Sequence, residues 1–97
     1  MARLHLISQQ LNSLQMNRNL SRLVANNDQL LFIGEAISGL IDRENLTLLN
    51  SCSVALLALK SDVLCRGLEN KLPPSVSIID DIKMVELTLE NEQVISW

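Results

Sequence analysis

Two runs of this sequence are apolar at every position, and they restrict the fold more than any other feature. They read LLFI at residues 30–33 and VALLAL at residues 54–59. A strand with one face in water alternates apolar and polar residues, whereas strands of a parallel sheet are buried on both faces by helices. The two runs therefore predict an α/β fold, with a mainly parallel sheet between two layers of helices.

The rest of the chain alternates strand-like and helix-like segments, which favours the same class. Strands are predicted at residues 3–7, 30–33, 54–59, 76–79 and 93–97. Helices are predicted at residues 11–26, 61–68 and from Asp80 or Asp81 onward, and the last of these would pack through Ile82, Val85 and Leu89. Residues 34–40 read as a short helix or turn, and residues 42–50 as a connector. The expectation is one domain, residues 1–97, with about five strands.

Composition and charge limit the functional classes. The chain has 97 residues, 47% of them hydrophobic, which is generous for a small domain and suggests that a partner covers apolar surface. With 8 Lys+Arg against 11 Asp+Glu and no basic run, direct nucleic-acid binding is not expected. The start, MARLHLISQQ, lacks the long apolar segment of a signal peptide, and no apolar stretch is long enough to span a membrane. A cytoplasmic protein is predicted.

Ligands of open parallel sheets usually bind at the carboxyl ends of the strands. Here that edge would hold polar and charged residues: Ser8, Gln9, Gln10, Gly34, Glu35, Lys60, Ser61, Asp62, Asp80 and Asp81. With 3 Gly in the chain and no GxGxxG or GKS/T pattern, a nucleotide or phosphate site is not predicted. An aspartate at position 80 or 81 is interpreted as a helix cap rather than a metal ligand. No catalytic, cofactor or metal residue is assigned.

The chain has a single histidine and a single tryptophan. His5 lies inside the first predicted strand, away from the carboxyl edge, and is interpreted as a packed or interface residue. Trp97 could anchor the C-terminus in the core or in an interface.

Cys65 is the one residue whose position suggests reactivity. If Asp62 caps the helix, Cys65 lies in its first turn, where the helix dipole favours a thiolate. The negative charge of Asp62 opposes that effect, and a helical wheel places Cys65 half-buried beside Leu68. Cys52 precedes the third strand, so a bridge to Cys65 would have to span about 20 Å of strand. A disulfide between them is therefore not expected.

Several segments, in order and spacing, resemble the TusB/DsrH family over nearly the whole chain. They are Leu4-His5, residues 28–32, Ala58-Leu59, Asp62 with Arg66-Gly67-Leu68, Ile79-Asp80, residues 85–88 and Trp97. The most specific are the Asp-x-x-x-Arg-Gly-Leu core and the C-terminal Asp…Val-x-Leu-Thr…Trp pattern.

The resemblance implies a DsrE/DsrF/DsrH-like three-layer α/β/α sandwich in a small cytoplasmic subunit. It implies a hexamer of two trimers, in which this chain joins TusC-like and TusD-like subunits. Such a complex takes persulfide sulfur from a cysteine desulfurase and a TusA-like carrier. A TusE-like carrier then delivers the sulfur to the enzyme that 2-thiolates the wobble uridine of tRNA. The persulfide cysteine belongs to the TusD-like subunit, which makes this chain non-catalytic.

Two departures from the family accompany the resemblance. Some DsrH members carry a cysteine in the first helix, where this chain has Leu20, and this favours the tRNA-thiolation branch. Gly34-Glu35-Ala36 replaces an acidic residue followed by Asp-Gly, so the turn there is expected to differ. Three alternatives stay open: a sulfurtransferase with its persulfide on Cys65, a DsrEFH-type subunit of sulfur oxidation, and a homo-oligomeric binding module.

Overall fold

The computed structural model describes residues 3–97 and contains a five-stranded parallel sheet. The strands are β1 (Arg3–Ile7), β2 (Gln29–Phe32), β3 (Ala55–Leu59), β4 (Val76–Ile79) and β5 (Gln93–Ser96). Their order across the sheet is β4-β3-β2-β1-β5, and every neighbouring pair is parallel. The predicted parallel sheet of about five strands is confirmed.

Four α-helices and one 3₁₀ helix connect the strands: α1 (Ser13–Leu23), the 3₁₀ helix (Gly34–Ile41), α2 (Arg43–Asn50), α3 (Lys60–Cys65) and α4 (Asp81–Glu90). Side chains that accept backbone N–H groups fix three of the starts. Asn12 caps α1, Asp42 caps α2, and Asp80 caps α4 with 2.8 Å from the Lys83 N–H to its Oδ1. The prediction that an aspartate at 80 or 81 caps the last helix is therefore confirmed.

Helices cover both faces of the sheet, but they bury a larger core on one face than on the other. On one face, α1, the 3₁₀ helix, α2 and α3 bury the larger core around Phe32, Leu30 and Ile7. On the other face, α4 alone packs on a smaller cluster through Leu87. Connections that move along the sheet in one direction stay on one face, and only the β4-to-β5 connection runs back across the sheet. The three layers follow from this topology.

Two sequence predictions about helices are wrong. Residues 42–50 were expected to be a connector, but most of them form α2, whose buried Leu49 packs in the larger core. The face of α4 expected to pack, Ile82, Val85 and Leu89, is exposed. Leu87 makes the contact with the sheet instead, so the apolar spacing identified a common face but not the direction in which it points.

The helices predicted at residues 11–26 and 61–68 are shorter than expected, and Gly67 explains where α3 ends. Gly67 has φ +65°, the left-handed conformation that follows many helices. Its N–H donates to the Leu64 carbonyl, and the Leu68 N–H donates to the Val63 carbonyl, both at 3.1 Å. Since Leu68 and Val63 also share the core, the Arg66-Gly67-Leu68 motif acts as a helix stop. Within residues 3–97, no helix is long and apolar enough to cross a membrane.

Candidate functional site

The carboxyl edge of the sheet is joined by one hydrogen bond between two strand-to-helix connections. Asp62 was predicted to cap α3, but α3 begins at Lys60 and Asp62 lies inside it. Its Oδ2 accepts the N–H of Gly34 at 2.8 Å, across 28 residues of sequence. Gly34 has φ +54°, a conformation that a side chain disfavours, so the turn after β2 requires glycine. Asp62 therefore fixes the turn after β2.

Replacing Asp62 by alanine should leave the Gly34 N–H without its partner and destabilise the protein by about 1–2 kcal/mol. The exposed Glu69→Ala is the matched control and should change stability by less than about 0.5 kcal/mol. Amide hydrogen exchange at Gly34, followed by NMR alongside urea unfolding, measures both effects. Unchanged protection of the Gly34 amide in Asp62→Ala would show that the bond does not hold the turn.

A crevice opens between the carboxyl ends of β3 and β4, where the chain leaves toward opposite faces of the sheet. Such a switch point is where open α/β sheets usually bind ligands. The crevice measures about 210 Å³ and is lined by Lys60, Ser61, Leu64, Asp80 and Asp81. Among residues 3–97, no three side chains of His, Cys, Asp or Glu lie close enough to share a metal ion. The crevice thus combines one ammonium with two carboxylates in a shallow space.

The two cysteines are free thiols in different surroundings. Cys65 was expected to be half-buried, but it is exposed, because α3 turns Val63 rather than Cys65 into the core. Cys52 is half-buried, and its Sγ donates to the Leu48 carbonyl at 3.5 Å. It lines a cleft of about 710 Å³ at the amino edge of the sheet, with Ser53 and Asn91 among its other walls.

The only histidine is held at both ring nitrogens. The indole N–H of Trp97 donates to His5 Nδ1 at 3.0 Å, so that nitrogen is an acceptor and the proton lies on Nε2. His5 Nε2 then donates to Asp28 Oδ2 at 2.8 Å. His5 and Asp28 are fully buried, and the Trp97 ring meets the imidazole edge-on with centroids 6.0 Å apart. The interpretation of His5 as a packed residue is confirmed, and Trp97 is its packing partner.

Asp28 is the centre of this network. Burial raises the pKa of the Asp28 carboxyl, but the hydrogen bond from the Ala25 N–H, the bonds from His5 and Arg3, and the Arg3 charge outweigh burial. The pKa of Asp28 is therefore below its ordinary value. The Arg3 guanidinium lies 3.1 Å from Oδ2 and also donates to the Leu23 carbonyl at the end of α1. The network ties β1, β5 and the α1–β2 turn together.

Sequence reasoning gave Asp28 no role of its own, since residues 28–32 entered only as one of the segments that resemble the family. Asp28 directly follows a turn in which Asn27 has φ +72°. The available signal was an aspartate directly before a predicted strand, in a chain whose first strand carries Arg3 and His5. Leu20 is buried in the larger core.

The fold defines a class of protein: a small three-layer α/β/α sandwich of the DsrE/DsrF/DsrH type. The crystal structure of the ychN protein from E. coli superposes with a TM-score of 0.72, and the match covers 100% of both chains at 14% identity. That likeness shows the fold.

Sequence comparisons give the family. The family model described as DsrH like protein matches residues 11–94. Protein TusB of Photorhabdus laumondii is 37% identical over 79 residues, which is 80% of this chain and 83% of the relative. Proteins of the same name from Yersinia enterocolitica and Yersinia pestis are 33% and 32% identical over the same shares. The chain belongs to the DsrH-like family, and the predicted family is confirmed.

Proposed function

We propose that this protein is a non-catalytic subunit of a sulfur-relay complex that serves the 2-thiolation of tRNA wobble uridine. Its similarity to proteins named TusB supports the relay role. The observation that supports the non-catalytic role is that His5 has no free ring nitrogen with which to act as a base. A thiol nucleophile is usually activated by a neighbouring base, and the one histidine of this chain is buried with both ring nitrogens bonded to other groups.

In this function the partners are TusC-like and TusD-like chains, with one copy of each per trimer and two trimers per hexamer. The TusD-like chain carries the persulfide, received through a TusA-like carrier and passed to a TusE-like one. The subunit acts in the cytoplasm and contributes structure to the assembly. Co-expression of the three chains, followed by size-exclusion chromatography and mass measurement, tests the assembly. Failure to recover a complex over several salt concentrations would contradict the proposal.

One observation favours a second function, in which the chain itself carries sulfur. Cys65 is exposed, as a thiol that accepts sulfur from a partner must be. An inert surface residue has the same exposure, and within residues 3–97 no cationic side chain forms a hydrogen bond or ion pair with Cys65. The structural role is therefore favoured, and substitution of Cys65 distinguishes the two functions.

We expect Cys65→Ser to leave the sulfur relay intact. The assay reconstitutes the complex with a cysteine desulfurase and both carriers, and follows persulfide on the TusE-like carrier by alkylation and mass spectrometry. Cys52→Ser is the matched control. A rate lowered by more than about tenfold, equivalent to about 1.4 kcal/mol, together with persulfide found on Cys65, would establish the carrier function instead.

A further inference from the structure

Helix α4 has two apolar faces, and only one of them touches this chain. The face with Leu87 packs on the sheet. Ile82, Val85 and Leu89, here called the outer stripe, fall within about 60° of one another at 100° per residue. Their side chains are 72%, 57% and 81% exposed. A surface helix of a monomer normally has one apolar face and a polar opposite face, so the outer stripe is unusual.

The outer stripe lies in an acidic segment, in which Asp81 and Glu86 flank the stripe on the helix at 100° per residue. From residue 80 to 92 the chain has five carboxylates and a single cation, Lys83. The Lys83 ammonium is 3.7 Å from Glu86, so its charge is partly compensated within the helix. The five acidic residues are Asp80, Asp81, Glu86, Glu90 and Glu92. An apolar centre with an acidic rim is complementary to an apolar surface bordered by lysine and arginine.

A second copy of this chain does not fit that surface. In a two-fold dimer each residue faces its own symmetry equivalent or one from the other end of the same patch. Antiparallel α4 helices would bring Asp81 near Glu90, and parallel ones would bring Glu86 near Glu86. Both arrangements place acidic groups together as the interface excludes water, which costs binding free energy.

We propose that the outer stripe docks a different subunit of the complex, through a surface that is apolar at its centre and basic at its rim. The inference rests on the proposed function for the existence of that subunit, and it assigns the face that the subunit covers. The tight centre of such an interface is supplied by a few apolar side chains, while charges at the rim guide association.

The test co-expresses the full-length chain with its TusC-like and TusD-like chains and measures assembly by affinity capture and sedimentation. The variant Val85→Gln/Leu89→Gln removes the apolar centre and keeps helix-forming residues. The matched control is Leu14→Gln, at a 67% exposed leucine on α1, across the sheet. We expect the double variant to weaken assembly by at least about tenfold, equivalent to about 1.4 kcal/mol, and the control to assemble like the wild type.

A second variant keeps the inference testable if the first is poorly folded. Glu86→Lys/Glu90→Lys reverses two exposed rim charges and should weaken assembly, more so at low salt than at high salt. Circular dichroism and Trp97 fluorescence check folding. If the wild type assembles and neither variant differs from Leu14→Gln, this face is not the docking surface. If the wild type forms no complex, the proposed function fails as well. Self-association of the isolated chain that the double variant abolishes would identify a second copy as the occupant.

Discussion

Asp28→Ala should destabilise this protein more than any other single change to a polar residue in the part of the chain that the structure describes. The carboxylate accepts from His5, from the Ala25 N–H and from Arg3, and it is fully buried. Its removal leaves a buried imidazole N–H without an acceptor and takes one of two acceptors from the Arg3 guanidinium, which costs about 3–5 kcal/mol. Since small domains are stable by about 5–15 kcal/mol, the variant should lose a large part of its free energy of unfolding.

Urea unfolding measured by Trp97 fluorescence tests this expectation directly, because the only tryptophan donates to His5 within the same network. Asp81→Asn, at an exposed aspartate, is the control and should stay within about 0.5 kcal/mol of the wild type. If Asp28→Ala lowered the free energy of unfolding by less than about 1 kcal/mol, the network would not contribute substantially to the stability of the fold.

The network also predicts how the free energy of unfolding changes at acidic pH. The pKa of Asp28 is lower in the folded protein than in the unfolded chain, where it is about 3.9. The carboxylate therefore contributes stability at pH values above about 4, and that contribution is lost as the pH falls toward the folded pKa. In Asp28→Asn the slope of unfolding free energy between about pH 4 and pH 2 should be shallower than in the wild type. Equal slopes would contradict the lowered pKa.

Much of the fold was predictable because the strands are marked by composition. The runs at residues 30–33 and 54–59 are typical of strands covered on both faces, and Asp80 and Gly67 mark helix ends by their own chemistry. The α2 helix was harder to find. Its cap, Asp42, and its buried Leu49 are present, but the helix has eight residues, of which Asn45 and Thr47 are weak helix formers.

The candidate site was less predictable, because its connections are distant in sequence. Asp62 reaches Gly34 across 28 residues, and Trp97 reaches His5 across 92. Asp28 looks like a turn residue beside Asn27, and only the parallel pairing of β1 with β2 places it under Arg3 and His5. Residue type and local spacing do not encode such pairings. The exposure of Cys65 likewise depends on where α3 begins, one residue before the predicted start.

Periodicity predicted the wrong packing face of α4, and two leucines of this helix can test which face contributes to stability. Leu87 and Leu89 are the same residue type on one helix, but Leu87 is 3% exposed and Leu89 is 81% exposed. Leu87 shares a cluster with Leu4, Leu31 and Leu57, and it is the one fully buried side chain through which α4 holds that face of the sheet.

Leu87→Ala should therefore cost about 3 kcal/mol, from lost burial and the cavity left over the sheet. Leu89→Ala should stay within about 0.5 kcal/mol of the wild type, because alanine keeps the helix and the lost side chain touches mostly solvent. Urea unfolding of the isolated chain measures both. Leu89→Ala should nevertheless weaken assembly of the complex, because it removes a contact of the docking surface. Equal losses from both variants in the isolated chain would mean that the outer stripe packs against this chain itself, and the docking surface would have to lie elsewhere.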